Sequence, residues 1–373
     1  MAISSRRIAA ALLIGTLGMP AGAGRAVPAV RTATGVVVTV EADGARAVLA
    51  AVRNPGLTMA EALHIAALPA SQGLIRKARS YGRPGTAQLF AEALLAAARR
   101  DARAPDPGKF RFDQVRDHAD AIAATIAKLE DPSLHLLADV KARIAAFTPP
   151  GLGGQVTGHL IIGGTSGGFA FGDPEFFLNL DRFPSAPLAA TIMEHELFHA
   201  VQALARNARK PSPAAEACVT QMPQGKALSA LFDSLQMEGT ASLVGDVSAL
   251  PAGIDDSSDK ERARFTRNVD MVARSVTLLE LSAHALTGNA DASYDEIYAL
   301  GFYGDEILYA LGYVMARAIA AEQGEQAIAE LIGQPGARFV QRYRSLRGYG
   351  KSAAVPALHA ETLRAADRLA ACS

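Results

Sequence analysis

Through most of the first half of the chain, apolar residues recur at a spacing near 3.6. This predicts helices over residues 45–52, 59–68, 86–100, 112–129 and 134–147. Turn chemistry separates several of them, as in Asn54-Pro55-Gly56, Arg83-Pro84-Gly85 and Pro105-Asp106-Pro107-Gly108. Ahead of the helices, the β-branched run 34–40 predicts a short strand. Thr148-Pro149-Pro150-Gly151 closes the helical stretch, and the period changes. Residues 156–162 read as a strand, Gly163 to Gly168 as a hairpin turn, and 169–171 as the strand's resumption. In 175–181, Phe176, Leu178 and Leu180 fall on one face, and Phe177, Asn179 and Asp181 on the other. That strand is either a sheet edge, free to pair with an extended peptide, or a plain core strand. Pro184 and Pro187 end the ladder.

The helical period then returns. Residues 188–204 are apolar on nearly every side, which predicts a buried helix with Pro187 in its first turn and Pro211 as its stop. Two histidines and two glutamates inside such a helix need a strong partner. Their order supplies one: His195-Glu196-Leu197-Phe198-His199 reads H-E-x-x-H. Residues four apart on a helix lie one above the other on one face, so two imidazoles can share a zinc ion. Glu196 is then placed to take a proton from a water held there.

A second long helix is predicted over 226–247, after a loop at 211–225 that holds Cys218. Leu228, Leu231, Leu235, Glu238 and Ser242 form one stripe of it. A carboxylate is out of place on a packing face and well placed as a third zinc ligand. Gly239 and Ala241 beside it are small enough to admit another helix closely. The competing acids are Glu216 in the loop, Asp233 facing away from the stripe, and Asp246, whose position suits it to orient a histidine ligand. Further helices are expected over 262–286, 305–322 and 325–332, with short closing helices at 339–343 and 354–371.

Composition narrows the partners. Lys+Arg and Asp+Glu are both 37 in 373 residues, so nothing points to nucleic acid or to an anionic membrane. Arg6 and Arg7 followed by the apolar run 8–19 and small residues near 23–26 read as a secretory signal over 1–26. No other stretch reads as membrane-spanning, and the chain is expected in the periplasm or secreted. Cys218 and Cys372 are the two cysteines. In an oxidising compartment they form one disulfide or stand as two separate buried thiols, and the sequence leaves both open.

H-E-x-x-H followed downstream by a helical glutamate resembles the gluzincins, the zinc peptidases that include thermolysin and the aminopeptidase clan. The wider layout is similar to a bacterial family of candidate zinc-dependent peptidases of unknown function. That layout comprises a helical first half, a glycine-rich hairpin, His195–His199, Glu238-Gly239-Thr240-Ala241 and a late Tyr-x-x-Gly helix. The resemblance implies an α+β, predominantly α fold: a helical region at 27–150, then a zincin-like domain at 151–373. In that domain a small antiparallel sheet precedes the metal helix. It implies one zinc on His195, His199 and Glu238, Glu196 as general base, and a peptide or protein substrate. It also implies a tyrosine that stabilises the oxyanion. Tyr309 in Tyr309-Ala310-Leu311-Gly312 matches that pattern, Tyr298 matches it too, and Tyr303 and Tyr313 are further options. The G-x-M-E-N signature that captures a free amine in the aminopeptidases is absent, and Ser242 stands where thermolysin-type sites carry an aspartate. The alternative is an exported binding or scaffold protein with structural zinc. In that case a fourth protein ligand such as Glu216 or His284 closes the site.

Overall fold

The computed structural model describes residues 30–31, 35–183, 185–288 and 291–373. The expected signal at 1–26, Thr34 and Pro184 lie outside them. The fold is α+β and predominantly helical. Two compact units divide the chain: Ala142 and what precedes it with Gly153–Ala200, and Arg143–Leu152 with Val201–Ser373.

The first unit holds the sheet. Its strands are β1 (Val30–Arg31), β2 (Val36–Glu41), β3 (Gly154–Ile161), β4 (Gly168–Ala170) and β5 (Glu175–Asn179), in the order β1-β2-β3-β5-β4. β2, β3 and β5 run parallel, while β1 and β4 are antiparallel to their neighbours. The sheet is therefore mixed, not the small antiparallel sheet expected. β3 and β4 do not form a hairpin either, because β5 lies between them. The segment joining them is stapled to the end of β5: Gly163 N–H donates to Asn179 Oδ1 at 3.1 Å, and Asn179 Nδ2 donates to the Gly163 carbonyl at 3.2 Å. Asn179 is fully buried, so both ends of its amide are used where water cannot compete. β5 has a partner on each side and is buried from Phe176 to Asn179, which makes it the core strand. The edge strands are β1 and β4.

Helices α1 (Asp43–Val52), α2 (Met59–Ala66), α3 (Pro69–Ser80), α4 (Ala87–Arg99), α5 (Phe112–Asp117), α6 (Ala119–Glu130) and α7 (Leu136–Ala146) follow in order, with α7 running across the unit boundary. The stretch 112–129 is two helices and not one, with a break at His118. α3 has no counterpart in the periodicity reading. Its Gln, Lys, Arg and Ser residues obscure the buried face made by Ala70, Leu74, Ile75 and Ala78.

α8 (Ala186–Ala208) is the metal helix, and the unit boundary falls inside it. Ser185 starts it by accepting from Leu188 N–H at 3.2 Å. The second unit continues with α9 (Pro213–Gln221), α10 (Gly225–Val244), α11 (Asp256–Asp270), α12 (Val272–Gly288), α13 (Tyr294–Gly301), α14 (Ile307–Gln323), α15 (Glu325–Leu331), α16 (Gly336–Arg344) and α17 (Ala360–Ala370). Residues 211–225 are thus largely helical where a loop was expected. Ser212 caps α9 by accepting from Ala215 N–H, and Pro213 occupies its first position. Arg143 closes the other end of α10 by donating to the carbonyls of Leu243 and Val244. Among the described residues no helix is long and apolar enough to cross a membrane.

Cys218 on α9 and Cys372 after α17 form a disulfide across 154 residues of sequence, which decides between the two readings left open. A closed loop of that length restricts the unfolded chain strongly. Replacing both cysteines by serine lowers the unfolding free energy by about 2–5 kcal/mol in urea titration. Unchanged stability would show that the bridge ties together segments already fixed by packing.

Candidate metal centre

α8 sets two of the ligands by its pitch alone. His195 and His199 are one turn apart, and their Nε2 atoms lie 3.1 Å from each other. The rings stand edge to face, with centroids 4.7 Å apart and planes at 83°. Tetrahedral zinc with Zn–N bonds of about 2.0–2.1 Å requires ring nitrogens about 3.3 Å apart, so the pair fits one ion. Glu238 on α10 completes the group: one ligand atom from each of His195, His199 and Glu238 lies within 4.8 Å of the others. Two imidazole nitrogens and one carboxylate oxygen are a donor set suited to zinc. Among the described residues no fourth histidine, cysteine or acid joins the group.

Glu238 is placed by a crossing of α10 and α14 so close that it excludes side chains. A Cβ built on Gly239 would sit 2.2 Å from the carbonyl carbon of Gly312, and one on Gly312 would sit 2.3 Å from the Leu235 carbonyl oxygen. This is the close approach that Gly239 predicted. It also gives Tyr-x-x-Gly a physical meaning. Gly312 makes the contact, and Tyr309, one turn earlier, is brought to Glu238. The Tyr309 hydroxyl is buried where the Glu238 carboxylate and the Tyr298 phenol both act on it electrostatically. Burial first, and then the charge of Glu238, pushes both phenols well above their usual range. The same two causes act on Tyr294, though its hydrogen bond with Ser234 opposes them, and it rises to about 12. All three therefore stay protonated near neutral pH. Gln202, three residues past His199, braces α10 by donating to the Met237 carbonyl at 3.0 Å and to Thr240 Oγ1 at 2.9 Å.

Glu196 is more deeply buried than the histidines of the motif. It is 3 % exposed, while the two histidines are only half-buried. Its carboxylate packs on the backbone of β4, where a Cβ on Gly168 would lie 2.4 Å from Glu196 Oε1. Glycine at 168 therefore leaves the space that this side chain fills.

The other sequence candidates are engaged differently. Asp246 does not orient a histidine; it accepts from Ser248 N–H at 2.9 Å and from the Tyr313 hydroxyl at 2.9 Å. That also occupies Tyr313. Tyr303 is 61 % exposed. Glu216 lies on the exposed first turn of α9, and His284 pairs with Glu361 at 3.3 Å. Asp233 is held by Gly336 N–H and Ser229, and burial raises its pKa. Sequence reasoning passed over Gln202 and Gly168. Gln202 had a visible signal, since it lies seven residues after His195 on the same helix face.

Two imidazoles one turn apart and a carboxylate from a second helix define a zinc centre. The chain belongs to the family described as "Putative zinc dependent peptidase (DUF5700)", whose model matches residues 64–347, more than half of its length. Zinc is thus the ion for which His195, His199 and Glu238 are gathered, and such a family implies peptide or protein substrates. Neither the curated proteins nor the solved structures hold a match to the chain.

Proposed function

We propose that this protein is an exported zinc metallopeptidase of gluzincin type, with a zincin-like catalytic part at 151–373 behind a helical region at 27–150. The observation that carries the reading is the three-residue ligand set. With His195, His199 and Glu238 as ligands and, among the described residues, no fourth histidine, cysteine or acid in the group, a bound zinc would keep a position for water or substrate. Zinc bound there supplies an acidified water and polarisation of the scissile carbonyl. Glu196 accepts the water's proton on its carboxylate and later delivers it to the leaving amine. Its low exposure keeps bulk water from competing for that proton. Tyr309, one of the tyrosines that the resemblance offers as an oxyanion donor, instead lies beside Glu238 in this account, where its buried hydroxyl is placed to orient the carboxylate.

As one of the two edge strands, β4 is our candidate for the substrate's place. An extended peptide can add to Gly168–Ala170 by main-chain hydrogen bonds, and Gly168 already touches Glu196. Export is supported by the signal-like start and by the Cys218–Cys372 bridge, which suits an oxidising compartment. The test is a peptide-library digest before chelation, after it, and after one equivalent of zinc is restored. Cleavage that disappears and returns supports the proposal. Cleavage indifferent to the chelator would refute it.

A further inference from the structure

Lys77, in the last turn of α3, is one of the most deeply buried side chains in the protein, at 1 % exposure. Its Nζ has no hydrogen-bond partner among the described residues. Two rings face it: Nζ lies 4.9 Å from the centroid of Tyr81 and 5.1 Å from that of Phe169. Tyr81 is itself tied to the segment before β4 through a 3.1 Å hydrogen bond shared with Ser166. Burying an ammonium without a hydrogen bond is costly, and it pulls Lys77 down to about 7. The charge that opposes this fall is the carboxylate of Glu196.

β4 lies between the two groups. Consecutive residues of a strand point to opposite faces. Phe169 covers Lys77 from one face, and Gly168, the preceding residue, receives the Glu196 carboxylate on the other. The two charges flank a three-residue edge strand, in an interior where charges are weakly screened.

We infer that Lys77 is a positioning residue for Glu196: a sealed counter-charge that keeps the carboxylate seated against Gly168 of β4. The assignment of Glu196 as base belongs to the proposed function, and the role of Lys77 rests on it. The aromatic pair fixes the cation, the missing side chain at 168 admits the anion, and neither needs to move during turnover.

The coupling can be read without any substrate. Thermal unfolding of zinc-loaded wild type, Lys77→Met, Glu196→Gln and the double variant, with zinc content checked in each, forms a cycle. In the wild-type background, Glu196→Gln strands a buried cation and lowers Tm by about 3 °C or more. In the Lys77→Met background the same change has no cation to strand, and Tm holds or rises. Equal shifts in both backgrounds would overturn the inference. Lys77→Leu repeats the cycle if methionine packs poorly. In the peptide assay, Lys77→Met lowers kcat by about tenfold or more, with KM within about twofold and Tm undiminished. An unchanged kcat in an active enzyme would also overturn it. A wild type that cleaves no peptide would instead count against the proposed function, and the thermal cycle would still report whether the two charges are coupled.

Discussion

Glu196→Gln binds zinc as the wild type does and hydrolyses peptides about 10²–10⁴-fold more slowly. The amide has the shape of the carboxylate, so it fills the space against Gly168 and leaves α8 undisturbed. What it lacks is a basic oxygen. Glutamine cannot take a proton from water, so the step assigned to Glu196 loses its acceptor and the leaving amine loses its donor. The loss belongs in kcat, because Glu196 is not a zinc ligand and is too buried to bind much of a substrate. Steady-state kinetics with metal analysis on the same preparation decides it. Turnover at the parent rate with zinc in place would remove Glu196 from the mechanism.

Gly312→Val costs about 3 kcal/mol or more of stability and weakens zinc binding at least about tenfold. Overpacking is usually relieved by rotating a neighbouring side chain. Here the obstacles are the Leu235 carbonyl and the backbone of Gly239, which cannot rotate away. α10 and α14 must move apart. Glu238 rides on the first and Tyr309 on the second, so the displacement shifts the ligand carboxylate away from the two imidazoles and from the buried phenol beside it. Gly312→Ala has the same direction and a smaller size. Urea unfolding and competitive zinc titration measure the two effects. Parent-like values for both would mean that the crossing does not position the ligand.

How much was legible in the sequence follows from where the physics is local. The two histidines and Glu196 sit within five residues, and the helix pitch alone puts the rings together. Glu238 was legible because a carboxylate in a leucine stripe is anomalous, and because Gly239 beside it announced a close neighbour. Strand pairing depends on contacts far apart in sequence, and there the reading was wrong in two places. The glycine-rich segment at 163–168 has hairpin chemistry but carries the chain past β5, so β4 takes the edge position beside it and the sheet is mixed. α3 and Lys77 were missed because a lysine in a polar-looking helix reads as solvated, and only tertiary packing puts Phe169 and Tyr81 around it. For Cys218 and Cys372, residue spacing says nothing of distance, and only the fold brings their Cα atoms to 5.5 Å.

Elemental analysis of the purified chain beside Glu238→Ala and His199→Ala, after dialysis against a weak chelator, tests the metal centre most directly. The wild type retains about one zinc per chain, and either truncation loses nearly all of it, since two remaining ligands bind the ion weakly. A wild type that holds no zinc even after it is supplied, or a Glu238→Ala variant that keeps a full equivalent, would contradict the account.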